Sequence, residues 1–340
     1  MILQNIAPNI IIKEKFNLLR SNLLSINKLL ENKTIITKND VRRHLILNTF
    51  TWFSENSQQI EKVDTERRLQ NSDFLDQIGF EPNMGNYMLT KENGIMYYLK
   101  LAEEKVLNEV KNTKVNEGFR IWKLYNMGVI IKTKNIVFAI DLVPYFSDFS
   151  TVIDFMIVSH WHRDHFKKDL FDSMIKKGKP VYRTGDLAVN GTPVNGGIII
   201  DNNNTITISN IKIDFILSNQ DNIQNLISII TLSNDSSKIT ILHTGDANNK
   251  NIYPDVSKID VLFFHQMCGI DDYLLEKVDS GYVIYDHIME LNHPVGDGRV
   301  SWREAWANIE KLNRHNKFLL YTWGESFGVN YIYDEIVISK

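Results

Sequence analysis

Ser159-His160-Trp161-His162-Arg163-Asp164-His165 is the stretch on which the reading of this chain turns. It follows directly on the apolar run Phe155 to Val158, so three imidazoles and a carboxylate stand at the exit of an expected strand. Residues two apart on extended backbone point to the same side, which lets His160 and His162 converge on one ion. A turn through Arg163 brings Asp164 and His165 to a neighbouring position. Neutral imidazole and carboxylate are the donors that divalent zinc, iron and manganese accept. A solvated polar loop is the bland alternative, but four such donors within six positions rarely arise without use.

Outward from that stretch, the chain has two characters. From about Lys13 to Lys114 apolar residues recur at helical spacing, as at Phe16, Leu19, Leu23 and Ile26 and again at Leu99, Ala102, Val106 and Val110. This third reads as an α-helical extension, and its one histidine, His44, sits beside Arg42 and Arg43 as a solvated helix residue would. Near Gly118 the pattern changes to short β-branched and aromatic runs, Phe119 to Tyr125, Val129 to Lys132 and Ile136 to Ile140, parted by turn residues. Further strands are expected at Phe155 to Val158, Pro180 to Arg183, Thr205 to Ser209, Lys212 to Leu217 and Leu226 to Leu232. The series continues at Ile239 to His243, Val261 to Phe264, Tyr282 to Tyr285 and Phe318 to Thr322. Helices fit Lys167 to Lys177, Asp271 to Val278 and Trp302 to Arg314. Many strands with fewer, late helices indicate a layered α/β sandwich, and the expected division is residues 1–116 and 117–340.

Composition limits the function classes. The 340 residues are 43% hydrophobic and 23% charged, a globular balance that fits neither disorder nor a fibrous repeat. A formal charge of -3 argues against a dedicated nucleic-acid partner. One cysteine, Cys268, excludes an intramolecular disulfide and a cysteine-rich zinc cluster. The first twenty residues lack the basic, apolar and small-residue succession of a signal peptide, and no apolar run reaches about eighteen residues, so no membrane span is expected. The cytoplasm is the expected compartment.

The segment from His160 to His165 resembles the His-x-His-x-Asp-His signature of the metallo-β-lactamase superfamily, and the likeness extends over roughly Gly118 to Trp323. It implies an αββα metallo-β-lactamase-like sandwich over 117–340, carrying the α-helical N-terminal extension. It implies that Asp141, at the end of an expected strand, orients the metal loop from behind. The strand Ile239 to His243 running into Thr244-Gly245-Asp246 is similar to the family's strand ending in Gly-Asp, which makes Asp246 the carboxylate bridging two metals. His287, ending Tyr282 to His287, stands where the family has its terminal ligand. The implied metal ligands are therefore His160, His162, Asp164, His165, Asp246 and His287, for one or two zinc ions or for manganese or iron.

One departure stands out. Where the family's third motif places a histidine, after the strand pair Thr205 to Leu217, this sequence has Ser218-Asn219-Gln220-Asp221, whose oxygens would favour harder ions. His243 and His265 are the other histidines within reach, and both read as core or strand-end residues.

The implied chemistry is hydrolysis. Two cations lower the pKa of a bridging water, and the hydroxide attacks a carbonyl or phosphorus, with Asp164 orienting it and Glu290 or His293 protonating the leaving group. Glu290 and His293 follow His287 at three-residue intervals, a spacing that equally suits pairing with each other. Arg163 and Arg299 are candidates for an anionic substrate group. The expected substrate is a small anionic ester, lactone or phosphodiester. The rivals are a metal-retaining, non-catalytic sensing or interaction module and a nuclease. The amphipathic extension offers a homodimer contact or a lid.

Overall fold

The computed structural model describes residues 94–233, 238–249, 258–265, 274–276, 278, 280–291, 300, 302–312, 318–321, 323–332 and 335–339. The helical spacing read over Lys13 to residue 93, with His44, lies outside them, as do Cys268, His293 and Arg299. Residues 102–287 and 313–340 belong to one compact unit and residues 94–101 and 288–312 to another. Each unit is described by itself.

Helix α1, Gly94–Asn112, carries the predicted spacing, with Leu99, Ala102, Val106 and Val110 all buried. Lys111 in its last turn faces the negative end of the helix dipole. Strands β1 (Phe119–Lys123), β2 (Val129–Lys132) and β3 (Val137–Ile140) form an antiparallel meander. β4 (Phe155–Val158) then joins β3 in parallel, and helix α2 (Lys168–Lys176) leads to β5 (Val181–Arg183), parallel to β4. All four side chains of β4 are buried, which suits a run apolar at every position in the parallel part of a sheet. A hairpin of β6 (Ala188–Val189) and β7 (Thr192–Pro193) and an edge strand β8 (Ile198–Ile199) follow.

The second half repeats the plan. β9 (Asn204–Ile208), β10 (Ile211–Gln220), β11 (Ile223–Ser233) and β12 (Lys238–His243) are antiparallel neighbours. β13 (Ile259–His265), β14 (Ser280–Asp286) and, beyond helix α3 (Trp302–Lys311), β15 (Phe318–Leu319) continue in parallel. Finally β16 (Ser326–Ile332) and β17 (Glu335–Ser339) return to the first sheet, β16 pairing with β1. The result is mixed α/β, with an eight-stranded sheet ordered β17-β16-β1-β2-β3-β4-β5-β8 and a seven-stranded sheet ordered β15-β14-β13-β12-β11-β10-β9. Phe138 stacks on Phe155 within the first sheet at 4.8 Å, and Tyr182 of that sheet meets Phe215 of the second at 5.7 Å, in the core. Among the described residues no helix is long and apolar enough to cross a membrane.

The expected strands are present, with differences at their ends. β10 runs on through Ser218, Asn219 and Gln220, where the polar letters suggested a loop, because each has a partner on β11. Of the helix expected over Asp271 to Val278, residues 274–276 are described and are helical.

Candidate metal centre

In parallel sheets the loops at the carboxyl ends of the strands gather on one edge, and there the chemistry collects. Asp141 follows β3, the stretch from Ser159 to His165 follows β4, Asp246 follows β12, His265 ends β13 and His287 follows β14.

The metal loop is held from behind. Asp141, at φ 48° and buried, accepts from Ser159 N–H at 2.7 Å and from Ser159 Oγ at 2.6 Å. Its Oδ2 also accepts from His165 Nδ1 at 2.8 Å, which fixes the ring so that Nε2 is the nitrogen turned to the centre. His165 N–H and Phe166 N–H both donate to His162 O, at 3.0 and 2.9 Å, and close the turn that brings Asp164 beside His165. Trp161 and Arg163, alternating with the donors, are exposed.

Asp246 is positioned by β11. Asn225 Oδ1 accepts from Asp246 N–H at 3.0 Å while its Nδ2 donates to Thr244 O and Ser218 Oγ. His243 is a satisfied core histidine, taking Gly245 N–H on Nδ1 and lying 3.2 Å from Met127 O through Nε2. His287 is reached through a buried ion pair: Lys123 Nζ lies 3.0 Å from Asp286 Oδ1, and that oxygen accepts from His287 N–H. The same ammonium donates to the carbonyls of Leu124, Asn126 and Gly128, and so shapes the turn between β1 and β2. From that turn Asn126, at φ 49°, donates Nδ2 to Asp164 Oδ2 at 2.7 Å.

These elements produce two donor groups that share one carboxylate. Asp164, His165, Asp246 and His287 form one, and His160, His162 and Asp246 the other, with the donor atoms of each within 4.8 Å of one another. His165 Nε2 is 3.2 Å from Asp164 Oδ2 and 3.1 Å from Asp246 Oδ1, and His287 Nε2 is 3.2 Å from Asp164 Oδ2. On the other side His160 Nε2 is 3.6 Å from Asp246 Oδ2. The six residues singled out as ligands are thus together. Glu290, a buried residue of the other unit, belongs to neither group, and Asp221 of the third-motif stretch bonds to Asn248. His265, expected as a core or strand-end residue, does end its strand, yet its Nε2 lies 3.4 Å from Asp246 Oδ1.

The electrostatics suit a cation. Burial alone would raise the Asp164 and Asp246 carboxyls, but the imidazole of His165 in particular holds both well below the usual carboxylate range. Burial would lower His165, and the carboxylates of Asp246, Asp164 and Asp141 instead raise it well above the ordinary imidazole value; His287 is raised by Asp164 and Asp246 against its burial. Positive charge is therefore favoured where the Nε2 atoms converge. Burial, reinforced by His165, pushes His160 down to about 3, so this ring is a neutral donor. Its Nε2 is buried and makes no hydrogen bond, an orphan that costs stability unless an ion takes its lone pair. A divalent metal fits this donor set. Sequence reasoning missed Lys123, Asn126 and Asn225, whose only local signal was a buried-strand lysine and two turn-type asparagines.

Solved structures similar to this chain include a metallo hydrolase and a metallo-β-lactamase fold protein. One is Igni18, a metallo hydrolase from Ignicoccus hospitalis, at 16% identity and TM-score 0.47, covering 64% of this chain and 100% of that one. The metallo-β-lactamase fold protein YhfI from Bacillus subtilis matches at 16% identity and TM-score 0.41, covering 62% and 99%. CmlA, a diiron β-hydroxylase from Streptomyces venezuelae, matches at 11% identity and TM-score 0.46, covering 64% and 55%. No family model and no curated protein matches the chain.

Proposed function

We propose that the chain is a metal-dependent hydrolase acting on an ester, lactone or phosphodiester of a small anionic molecule. The observation that carries the reading is the sharing of Asp246, whose Oδ1 faces His165 while its Oδ2 faces His160. A carboxylate in that position can hold two cations together. His160 and His162 with Asp246 would hold one, and Asp164, His165 and His287 with Asp246 the other. Zinc, manganese or iron bound there supplies Lewis acidity and an acidified water at neutral pH.

The protein's own part is positioning. Asp141 and Ser159 set the two rings His160 and His165, and Asn126 keeps Asp164 turned inward with one oxygen engaged. Asp164 can accept a hydrogen bond from the attacking water and so aim it. Arg163, exposed beside Asp164, would be the candidate to meet an anionic substrate group, with exposed Trp161 near it in the loop.

The test is metal content and turnover together. Purified protein should carry one to two equivalents of zinc, iron or manganese and should hydrolyse at least one of bis-p-nitrophenyl phosphate, lactones and thioesters. Asp164→Ala should abolish turnover without unfolding the chain. Metal bound with no turnover on any of these, whatever the ion, would instead support a non-catalytic sensing module.

A further inference from the structure

The two halves of the centre are unequal. Among the described histidines, cysteines and carboxylates, the His160 side adds only His162 to Asp246, and the third-motif residues Ser218 and Asp221 are engaged with Asn225 and Asn248. The opposite side offers Asp164, His165 and His287, and a fourth residue approaches it. His265 is the last residue of β13 and is paired in register with Asp286, so the parallel ladder itself carries its ring to the end of β14 where His287 emerges. The His265 and His287 rings lie 3.9 Å apart at 55°, and His265 Nε2 approaches the Oδ1 atom of Asp246 at 3.4 Å. Oδ1 is the oxygen that faces His165.

The spacing on this side is compatible with donors around a shared ion, and for His265 it is longer than a direct bond prefers. Two donors each about 2.1 Å from one ion stand about 3.0 Å apart at a right angle and about 3.4 Å apart at a tetrahedral angle. The separations on this side, 3.2, 3.1, 3.2 and 3.4 Å, fall in that interval. A nitrogen-to-oxygen hydrogen bond centres on about 2.9 Å, and 3.4 Å is long for one. On the two-ion reading above, we propose that His265, which stands outside the four-donor group but reaches its Asp246 Oδ1, joins the ion on the Asp164 side as a fifth protein donor, and that this ion is bound first and more tightly than the one at His160 and His162.

The consequence is a division of labour. An ion with five protein donors has little room for a water or a substrate, whereas an ion with three keeps open positions, as reactive sites do. The tighter ion would anchor the centre, and the weaker one at His160 and His162 would receive substrate.

X-ray absorption on the full chain loaded with a single equivalent of zinc tests this directly. The wild type should give three imidazoles on zinc and His265→Ala two, with His265→Asn as a second variant of similar bulk and circular dichroism confirming that both fold. Chelator competition should show the first zinc held about tenfold or more weakly in His265→Ala, whereas His162→Ala keeps the first zinc and loses the second. Zinc bound at one equivalent with two imidazoles in the wild type, or a count unmoved by His265→Ala, overturns this inference and leaves the two-ion reading intact. A wild type that takes up no zinc, manganese or iron overturns the metal centre itself.

Discussion

Gly245 shows how little room surrounds the carboxylate that the two donor groups share. It sits at φ +52°, where only glycine is free of strain, and a Cβ there would stand 2.3 Å from Asn225 Oδ1 and 2.9 Å from Ser159 Cβ. Those contacts are the supports of Asp246 and of the metal loop, and neither can retreat, since Asn225 is committed to Ser218 and Thr244 and Ser159 to Asp141. Gly245→Ala is therefore expected to lower stability by about 2 kcal/mol or more in urea titrations and to cut the bound zinc measured by metal analysis. Full metal content in a stable Gly245→Ala protein would contradict this packing argument. Asn126 makes a sharper case because its amide meets the ligands directly, Asp164 Oδ2 at 2.7 Å and His165 Nε2 at 3.5 Å. Asn126→Ala removes the amide that steadies Asp164 and should weaken zinc about 10- to 100-fold in chelator competition. Asn126→Leu, near in size but unable to donate, should match the alanine variant; a leucine variant with wild-type affinity would show that bulk, not the hydrogen bond, matters.

Helix α1 reaches the centre through a loop. Glu103 is buried and its carboxylate accepts from the backbone N–H groups of Tyr145, Phe146 and Ser147, each at 2.8 Å, pinning the segment that follows Asp141. Burial raises this carboxyl from 4.5 to about 7, against the pull of those three donors and of Lys167. Between about 4.5 and about 7 the folded chain holds more proton on Glu103 than the unfolded chain does, so this group's contribution to stability falls as pH rises through that window and is level above it. Glu103→Gln has no charge to bury and escapes the fall. Its melting temperature relative to wild type should therefore shift upward between pH 5 and pH 8, and a difference that stays constant would remove the buried charge from the account.

The same elements show what was legible beforehand. β4 matches its predicted bounds because its run is apolar at every position, β2 because three apolar residues end in a half-buried lysine before a turn, and α1 follows from its spacing. β16 was passed over because its partner β1 is distant, Phe119 meeting Val329, and β17, which pairs with β16, was passed over with it. β10 was cut short because Ser218, Asn219 and Gln220 read as a loop, when the turn is only residues 221–222, with Asp221 at φ 51°. In the centre, contiguous histidines announced themselves, whereas Lys123 and Asn225 act through partners 163 and 21 residues away that no local pattern reveals.

Across the whole molecule, protons and metal compete for the same nitrogens. His165 and His287 are both raised above the ordinary imidazole value of 6.5, burial opposing and the Asp246 and Asp164 carboxylates prevailing. A ligand nitrogen must lose its proton before it can bind zinc, so a raised value means that zinc displaces protons already at neutral pH and that affinity falls as pH falls. Calorimetry at pH 7 in buffers of different ionisation enthalpy should report proton release on zinc binding, with apparent affinity dropping between pH 8 and pH 6. The metal-free protein has the opposite sign at these two groups: their contribution to its stability is complete below about 6.5 and is lost as pH rises through their raised folded values. Zinc therefore matters most to the fold on the alkaline side. Free zinc at a hundredfold excess over Kd adds about 2.7 kcal/mol, which for a unit of this size is about 5–10 °C in melting temperature. At one fixed concentration of free zinc the increment should be larger at pH 8 than at pH 6, and an increment that shrank as pH rose would mean that His165 and His287 are not the nitrogens zinc takes.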